Sequence, residues 1–424
     1  MRWQHWRRTL IPSICDRKPQ SMHSMVGLWR RRWLIAMGMA IALCLSLFSL
    51  WGQFLWPSSL ISRTPSVAIG AMPRQANAQT TASDELRGVW LTNIDSGVLF
   101  SPSEVEHGVE RLARLNFNTL FPTVWNWGYT LYPSAIAQEA IGEAIDPHMG
   151  LQNRDPLQEL VNNGHEQGLT VMPWFEFGLM TPSYSELVRR HPDWLNQRQD
   201  GTSVVMQGRH PRVWLNPLQP EVQDLLVGII TEVVRNYDVD GIQLDDHFGM
   251  PVELGYDPYT VAQYRQSHNG QSPPTDVNAP AWVQWRADNI TRLMQRIVTE
   301  VHAIDPNCHI SLSPNPQPFA KDKFLQDWEQ WQRLGLLDDL IIQVYRGSVE
   351  SFIGELERPR LTALKGQLPI SIGILSGLRN RPTDDALIAQ QVQAVRDRAF
   401  SGVSFFFYES LGNRDDFFHN LLSQ

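Results

Sequence analysis

The sequence predicts an α/β protein whose main domain is a (β/α)8 barrel, the TIM barrel. From Arg87 onward, short β-rich runs alternate with longer amphipathic stretches, and eight such runs can be counted. Eight strands with intervening helices in one domain are typical of this barrel. A doubly wound open sheet is the alternative, but no Gly-rich dinucleotide or phosphate loop supports it. The candidate strands are Arg87–Ile94, Asn118–Trp125, Thr170–Phe177, Gly241–Phe248, His309–Pro316, Asp339–Arg346, Leu368–Leu375 and Gly402–Glu409.

The N-terminal segment precedes the barrel and predicts export. Residues 1–32 form a basic leader that ends in three consecutive Arg residues, and Trp33–Trp56 contains no charged residue. This uncharged run is long enough to span a bilayer, and its basic flank is expected to stay in the cytoplasm. Residues 57–84 are rich in Pro, Ser, Ala, Gln and Thr and read as a linker. The barrel, residues 85–424, is then expected outside the cytoplasmic membrane, in the periplasm or cell envelope.

Two interpretations of Trp33–Trp56 remain open, an uncleaved membrane anchor and a cleavable signal peptide. The candidate cleavage site Ala76-Asn77-Ala78 lies far beyond the apolar run, which favours the anchor. A buried core helix is the third and least favoured reading. Ile41-Ala42-Leu43-Cys44 does not fit a lipoprotein signal, because Leu43 replaces the small residue that precedes the Cys.

Composition narrows the range of partners. The net charge is −8 and no basic block follows the leader, so nucleic acid is not expected as a partner. Only Cys308 lies in the exported part, which therefore has no internal disulfide, and no Cys/His spacing indicates a metal site. No cofactor is expected. Sixteen Trp residues are many for this length; they fit either an aromatic core or the stacking of sugar rings on indoles.

The alternation of residues along the strands predicts which side chains face the barrel interior. On the fourth strand, Ile242 and Leu244 alternate with Gly241, Gln243 and Asp245. The fifth, sixth and seventh strands show the same kind of alternation. One register is aliphatic and faces the helices, whereas the other is smaller or more polar and faces the interior. Such an interior suits a polar substrate at the barrel mouth.

The end of the fourth strand carries the strongest chemical signal. Asp245, Asp246 and His247 follow one another at the carboxyl end of the strand, where barrel enzymes place their active sites. Glycosidic cleavage needs one carboxyl group as proton donor and usually a second anion near the anomeric carbon. Neighbouring carboxylates raise the pKa of one of them, which favours a proton donor. Asp245 shares the interior register of Gln243, whereas Asp246 shares that of Leu244 unless the strand ends there. A structural alternative is that one Asp caps the following loop.

Two Glu residues at other strand ends could supply a partner carboxylate. Glu176 shares its register with Trp174 inside an apolar run, where an unpaired carboxylate is costly. Its alternative role is a buried salt bridge to an Arg. Glu409 follows Phe405-Phe406-Phe407-Tyr408 at the eighth strand, where a structural role is equally open. We take Asp245, Asp246 and Glu176 as catalytic candidates and Glu409 as a substrate-binding candidate.

Polar and aromatic residues near other strand ends are expected to line a glycan cleft. Each alone fits a core or capping role as well, and their convergence on one face of the barrel is the evidence. These further binding candidates are Trp90, Asn93, Trp125, Trp127, Trp174, Asn216, His247, Asn315, Gln343 and Tyr345.

At these motifs the sequence resembles the glycosyl hydrolase-like 10 family of the bacterial envelope. The resemblance covers Glu85 to the C-terminus and implies a TIM barrel, glycoside hydrolysis and, for at least some members, peptidoglycan glycan strands as substrate. Members often carry Asn where this chain has Glu176. The resembling segments, in family order, are Arg87-Gly88-Val89-Trp90-Leu91-Thr92-Asn93, Asn116-Phe117-Asn118-Thr119, Leu131-Tyr132-Pro133, Trp174-Phe175, Leu215-Asn216-Pro217, the stretch from Tyr237 to Phe248, and Gln343-Val344-Tyr345.

The fourth strand is also similar to the Asp-Gly-x-Asp-x-Asp-x-Glu motif of chitinase-like enzymes, which work by substrate assistance. Here Gln243 replaces the second Asp and His247 replaces the Glu, so that mechanism is not carried over whole. Three functions stay open: a glycosidase of peptidoglycan or a related amino-sugar polymer, an enzyme that trims exopolysaccharide, and a non-catalytic barrel that binds or scaffolds glycan. All three have a polysaccharide as partner, and a membrane through the N-terminal segment.

Overall fold

The computed structural model describes residues 85–378 and 381–424. The leader, the Trp33–Trp56 segment and the linker predicted above lie outside the described residues. Within the described ranges, no helix combines the length and the apolar character needed to cross a membrane.

All eight predicted strands are present, and they form one sheet in which every pairing is parallel. The eighth strand pairs with both the first and the seventh. In chain order the strands are Leu86–Leu91 (β1), Thr119–Pro122 (β2), Thr170–Val171 with Trp174–Phe175 (β3), Gly241–Asp245 (β4), His309–Ser313 (β5), Asp339–Gln343 (β6), Ile370–Leu375 (β7) and Gly402–Phe406 (β8).

The two short segments of β3 close the sheet into a barrel. The first segment pairs with β2 and the second with β4, so the two ends of the sheet belong to one stretch of chain. Pro173 lies between the segments and has no N–H for the ladder, but its carbonyl accepts from Gln243 N at 2.9 Å. A doubly wound sheet would leave two unpaired edges, and here the edges are joined. The predicted (β/α)8 barrel is confirmed.

The helices lie between the strands, as the 3.6-residue apolar periodicity predicts. The predicted helices Pro220–Tyr237 and Ala281–Ile304 are Pro220–Asn236 and Pro280–Ile304 in the structure. The α-helices within the described ranges are Pro102–Arg114 (α1), Ala135–Ile141 (α2), Pro156–Glu166 (α3), Glu186–Arg190 (α4), Pro220–Asn236 (α5), Pro258–Ser267 (α6), Pro280–Ile304 (α7), Phe319–Phe324 (α8), Trp328–Arg333 (α9), Val349–Leu356 (α10), Pro359–Leu364 (α11), Asp385–Asp397 (α12) and Asp415–Leu422 (α13).

Helix starts follow their local sequence. Ser101 accepts a hydrogen bond from Glu104 N and is followed by Pro102 at the first position of α1. Asp257 caps α6 in the same way through Thr260 N. A Ser or Asp cap satisfies an amide that the helix leaves free, and Pro lacks the amide that would otherwise be unpaired there.

The two faces of the strands form two separate packed layers. Ile242 and Leu244 belong to the large core between the barrel and the helices. Inside the barrel, Gln243 accepts a hydrogen bond from Trp90 Nε1 at 2.7 Å and donates to Ser311 Oγ at 3.0 Å. The interior also holds a second apolar cluster, which consists of Trp90, Phe121, Met172, Trp174, Ile341 and Phe407. The predicted register is correct, but the interior is a packed aromatic layer with polar groups above it.

Two insertions extend from the carboxyl ends of the second and third strands. A hairpin of Trp125–Asn126 and Tyr129–Thr130 follows β2. After β3, a three-stranded antiparallel sheet pairs Met180–Pro182 and Val205–Gln207 with His210–Trp214. These insertions bring residues from distant parts of the chain to one side of the barrel mouth.

Candidate active site

Asp245, Asp246 and His247 form one compact group at the end of β4. The strand ends at Asp245, and Phe248 N bonds back to the Asp245 carbonyl at 3.0 Å, so the chain turns there. One polar atom from each of the three side chains lies within 4.8 Å of the others. Continued strand register would have pointed Asp246 toward the helices. The turn prevents this and brings its carboxylate beside that of Asp245.

Three side chains fix the Asp245 carboxylate. Ser313 Oγ and Gln343 Nε2 each donate to Oδ1 at 2.8 Å, and His247 Nδ1 lies 3.0 Å from Oδ2. Asp245 is 2 % exposed. This burial, together with the neighbouring charge of Asp246, raises the pKa of Asp245 to about 7, while the hydrogen bond from His247 opposes the rise. A carboxyl group in this state can keep a proton at neutral pH.

Asp246 is held from the opposite side of the turn. Asn315 Nδ2 donates to its Oδ2 at 2.5 Å, and His247 Nδ1 lies 3.2 Å from its Oδ1. The backbone of Asn315 is fixed in turn, because Trp328 Nε1 donates to its main-chain carbonyl at 3.0 Å. Asn315 and Gln343, predicted to touch substrate, therefore contact the two aspartates directly.

His247 connects the β4 carboxylates to β3. Its Nδ1 lies 3.1 Å from the main-chain carbonyl oxygen of Glu176 and close to the carboxylates of both aspartates. Three acceptors surround this nitrogen, so we assign it the ring proton. The backbone of His247 packs against Gly178, where a Cβ would lie 2.8 Å from the His247 carbonyl carbon. Gly178 has φ of +49°, so both its backbone conformation and the lack of space favour glycine.

Glu176 is the second buried carboxyl group of the site. Its Oε2 accepts from Thr92 Oγ1 at 2.9 Å, Thr123 Oγ1 at 3.0 Å and Asn126 Nδ2 at 2.7 Å. Burial raises the pKa of Glu176 to about 7, although these donors and the charges of His247 and Arg212 favour the anion. Across residues 85–378 and 381–424, Glu176 forms no ion pair with an Arg, so the salt-bridge alternative is wrong.

The two carboxyl groups are supported from different parts of the barrel. The partners of Glu176 lie at or just beyond the ends of β1 and β2. The Asp245 partners Ser313 and Gln343 lie at the ends of β5 and β6. These partners hold the Glu176 carboxyl group on the β1–β2 side of the mouth and that of Asp245 on the β5–β6 side. A substrate that enters the mouth would meet a carboxyl group on either side.

Two of the predicted binding residues have a structural role and leave the candidate set. Trp125 is fully buried in the large core, and its Nε1 donates to the Gly178 carbonyl at 3.0 Å. Asn216 is also fully buried, and its Nδ2 donates to Asp257 Oδ1 and Thr260 Oγ1, both at 2.9 Å. Asn216 therefore fixes the start of α6 and offers no surface to a glycan.

Trp90 and Trp174 lie beneath the polar mouth. Their ring centroids are 6.1 Å apart in the interior cluster, and both are at most 3 % exposed. The Trp174 Nε1 is buried and has no hydrogen-bond acceptor within the described part of the chain. The two indoles thus form the floor of the site, and little of their ring surface is accessible to a sugar.

The remaining predicted residues lie nearer the rim. Asn93 accepts from Asn126 Nδ2 at 2.8 Å, and Tyr345 is half-buried with its ring 5.9 Å from that of Phe406. Glu409 Oε1 accepts from Ser96 Oγ and from the amides of Gly97 at 2.9 Å and Val98 at 3.2 Å. Burial raises the pKa of Glu409. Its contacts fix the loop after β1, which favours its structural alternative.

Sequence reasoning missed several residues that contact the acids. Thr92, Thr123, Asn126 and Ser313 are short polar residues at strand ends, and a search for donors in the interior register would have found Ser313. Arg212 has no comparable local signal. It lies on the strand His210–Trp214, and its guanidinium carbon is 5.0 Å from the Trp127 ring centroid and 5.1 Å from that of Phe177.

The acid cluster could in principle face a cation, since Asp245, Asp246 and His247 each offer one ligand atom. The Nδ1 atom of His247, however, faces three oxygen acceptors, and we assign it the ring proton. Acid–base chemistry by the carboxyl groups fits this arrangement best. The absence of a metal cofactor stays a prediction.

Comparison with known proteins agrees with this fold and identifies the family. The family described as glycosyl hydrolase-like 10 matches residues 85–395. Glycosyl hydrolase DigH of Escherichia coli K12 is 27% identical over 331 residues, which cover 68% of this chain and 70% of DigH. Glycosyl hydrolase YngK of Bacillus subtilis strain 168 is 26% identical over 276 residues, 60% of this chain and 49% of YngK.

A solved structure supports the fold independently. The PgaB (BpsB) glycoside hydrolase domain from Bordetella bronchiseptica superposes with a TM-score of 0.58 at 10% sequence identity, over 80% of this chain and 99% of that domain. At this identity the likeness concerns the fold. The family match, in contrast, covers most of the chain and the whole candidate site up to β7. The chain therefore belongs to the glycosyl hydrolase-like 10 family and is a glycosyl hydrolase.

Proposed function

We propose that this glycosyl hydrolase cleaves glycosidic bonds of a cell-envelope glycan, either peptidoglycan glycan strands or a related amino-sugar polymer, by carboxylate acid–base catalysis. The observation that carries the mechanism is the buried Asp245–Asp246 pair, in which the pKa of Asp245 is raised to about 7. Such a pair retains a proton at the pH where a solvated carboxyl group has lost it.

The aspartate pair supplies the proton to the leaving glycosidic oxygen. Two adjacent carboxyl groups in a buried site do not both ionise easily, so one proton stays between them near neutral pH. Ser313 and Gln343 donate to Asp245, and Asn315 donates to Asp246. Since these amide and hydroxyl donors favour the ionised form, they also stabilise the anion that remains after proton transfer.

Glu176 is the partner carboxylate on the other side of the mouth. When ionised, it would stabilise positive charge that develops at the anomeric carbon, or would activate the attacking water. Thr92, Thr123 and Asn126 all donate to its Oε2, which fixes the direction of the carboxyl group. The charges of His247 and Arg212 favour its anion.

The substrate class rests on two features of the sequence. The first is the family resemblance, which includes members that act on peptidoglycan glycan strands. The second is the uncharged Trp33–Trp56 run after three Arg residues, which supports a membrane anchor or signal segment and a barrel on the outer side of the membrane. Exopolysaccharide is the alternative substrate in the same compartment.

The test is to incubate the protein with purified glycan strands, with and without stem peptides, and to identify products by mass spectrometry. A parallel incubation with a secreted amino-sugar exopolysaccharide tests the alternative. We expect cleaved oligosaccharides from the peptidoglycan strands and none with Asp245→Asn. If only exopolysaccharide is cleaved, the proposed substrate is wrong while the mechanism stands.

A further inference from the structure

Arg212 is a buried cation at the site whose hydrogen bonds are incomplete. The residue is 6 % exposed, and its guanidinium lies over the rings of Trp127 and Phe177. Its Nε and Nη1 are buried and make no hydrogen bond within the described part of the chain. Burial lowers the pKa of Arg212, whereas Tyr184 and Glu176 raise it.

Arg286 shows what a structural buried arginine does in the same protein. It is fully buried and lies over Trp282, but its guanidinium donates to the carbonyls of Val252 and Leu254, both at 2.5 Å, and of Val277 at 2.7 Å. Arg212 also packs against aromatic rings, but its Nε and Nη1 have no carbonyl acceptors of this kind. Buried charges without partners are costly, so they mark sites that a ligand completes.

The surroundings of Arg212 connect it to the active site. Phe177 directly follows Glu176, and its ring lies 5.7 Å from that of His247. Trp127 directly follows Asn126, which donates to the Glu176 carboxylate. Arg212 therefore lies beside the Glu176 side of the mouth. Within residues 85–378 and 381–424 it forms no ion pair, although its charge favours the Glu176 anion.

We propose that Arg212 binds a carboxylate carried by a sugar of the substrate and thereby makes the enzyme selective for acidic glycans. The guanidinium makes no hydrogen bond within the described part of the chain, so the N–H groups of Nε and Nη2, which lie on one edge, can donate to the two oxygens of a carboxylate. The Trp127 and Phe177 rings pack against the guanidinium. The carboxylate can belong to a uronic acid or to an ether-linked acid such as the lactyl group of muramic acid. This proposal rests on the function proposed above and names the class of glycan.

The experiment measures binding by calorimetry to full-length protein with Asp245→Asn, which slows turnover by at least roughly a hundredfold. The probes are a tetrasaccharide of alternating N-acetylglucosamine and N-acetylmuramic acid with free carboxyl groups, its methyl ester, and a hyaluronan tetrasaccharide, which carries uronic acids. We expect at least one carboxylate probe to bind roughly tenfold to a hundredfold more tightly than the ester, the range for charge-assisted hydrogen bonds. Which carboxylate probe binds shows the source of the carboxylate.

The variant Arg212→Met keeps much of the side-chain volume over the two rings but removes the charge. It is expected to bind the acid and the ester equally, whereas Arg212→Lys should retain part of the preference because it keeps the charge. Arg209→Met is the matched control, since Arg209 is exposed and three residues away. Thermal unfolding shows whether each variant is folded; if Arg212→Met does not fold, Arg212→Lys decides through its partial preference.

Arg212 could instead serve only to favour the Glu176 anion. In that case Arg212→Met would change the pH profile of hydrolysis without changing the ratio of acid to ester binding. That result, or a parent protein that binds the ester as tightly as the acid, would overturn the proposal. Hydrolysis of glycan strands by a protein without any preference for carboxylates would leave the proposed function intact and refute only the role of Arg212.

Discussion

Asp245→Asn is the sharpest test of the mechanism, because the amide keeps the shape of the side chain and removes its proton. Oδ1 of the asparagine could still accept from Ser313 and Gln343, which now bond at 2.8 Å. The replaced atom, Oδ2, faces His247 Nδ1 at 3.0 Å, where the new amide would place a donor against a donor. The variant therefore loses one charge-assisted hydrogen bond and the carboxyl group, while its packing is unchanged.

The effect on catalysis follows from the proposed role. Loss of a general acid lowers the rate by about a hundredfold to ten-thousandfold, so we expect kcat/KM of Asp245→Asn to fall by at least roughly a hundredfold. The assay is the release of soluble oligosaccharides from purified glycan strands. Asp288→Asn, at a half-buried position of α7 where the carboxylate accepts from Gln284 Nε2, is the control for the substitution itself. Turnover at the parent rate by Asp245→Asn would refute the mechanism.

The effect on stability depends on pH, and its sign can be worked out. The pKa of Asp245 is raised from 3.8 to about 7 in the folded protein, so the folded state binds a proton that the unfolded chain has released. The free energy of unfolding then decreases as pH rises from about 4 to about 7. At about 1.4 kcal/mol per pH unit, the loss is up to about 4 kcal/mol.

Asparagine does not ionise, so Asp245→Asn should remove this pH dependence. The removal increases the free energy of unfolding of the variant relative to the parent at neutral pH. The lost hydrogen bond to His247 decreases it by about 1.5–3 kcal/mol, the contribution of a bond to a charged acceptor. The lost hydrogen bond offsets part of the gain at neutral pH, and above pH 8 the variant is expected to be as stable as the parent or more so. Urea unfolding at several pH values measures this. If the stability of the variant relative to the parent decreased as the pH rose, the assigned direction of the Asp245 pKa shift would be wrong.

Four further predictions follow from the same structure. Asp246→Asn should reduce kcat/KM by an amount similar to Asp245→Asn, because both carboxylates contact His247. A loss of less than about threefold would show that Asp246 is not part of the proton-donating pair. Glu176→Gln should lower kcat/KM by roughly tenfold or more and remove one ionisation near pH 7 from the pH–rate profile; an unchanged profile would exclude Glu176 as partner. A chain that begins near Glu85 should unfold in one cooperative transition in calorimetry, and the same transition is expected after EDTA or a reducing agent, whereas unfolding by either reagent would contradict this. Protease added to spheroplasts should digest the barrel if the proposed anchor and location are right, and complete protection behind an intact membrane would refute the proposed location.

The fold was predictable because its signals are local. Each strand shows its two faces within four or five residues, and the alternation of Ile242 and Leu244 with Gln243 and Asp245 is sufficient to direct Asp245 to the interior. The interruption of β3 was not predicted as such, although Pro173 indicates it, since a proline cannot donate to the sheet ladder. Barrel closure then depends on both segments of this strand.

The site was predictable only in part, because its remaining contacts depend on turns and on tertiary packing. Strand parity does not extend past the last strand residue, so the direction of Asp246 depended on the turn that follows Asp245. Asn216 and Asn315 are both asparagines predicted to contact substrate, yet Asn216 fixes a helix start and Asn315 donates to the candidate catalytic residue Asp246. Arg212 reaches the site only because the insertion after β3 folds back over the hairpin after β2.

The tryptophan content also has a physical explanation that composition alone did not provide. Composition allowed either a core or a sugar-binding role for these residues. Eight of the ten Trp residues in the described ranges are buried, and the two that are half-buried are Trp127 and Trp285. Most of these Trp residues therefore belong to the core, whereas Trp127, whose ring lies against Arg212, is one of the two that are half-buried.

The buried indoles still contribute to the chemistry, through the polarity of the site. Gln243 lies one interior layer below Asp245 on β4, and it is bonded to Trp90 and Ser311. Together with Trp174, these residues close the barrel beneath the carboxyl pair and keep water away from that side. Desolvation is the largest cause of the raised pKa of Asp245, and it requires a dry floor of this kind. The aromatic interior that stabilises the barrel thus also helps Asp245 to retain the proton that the proposed reaction requires.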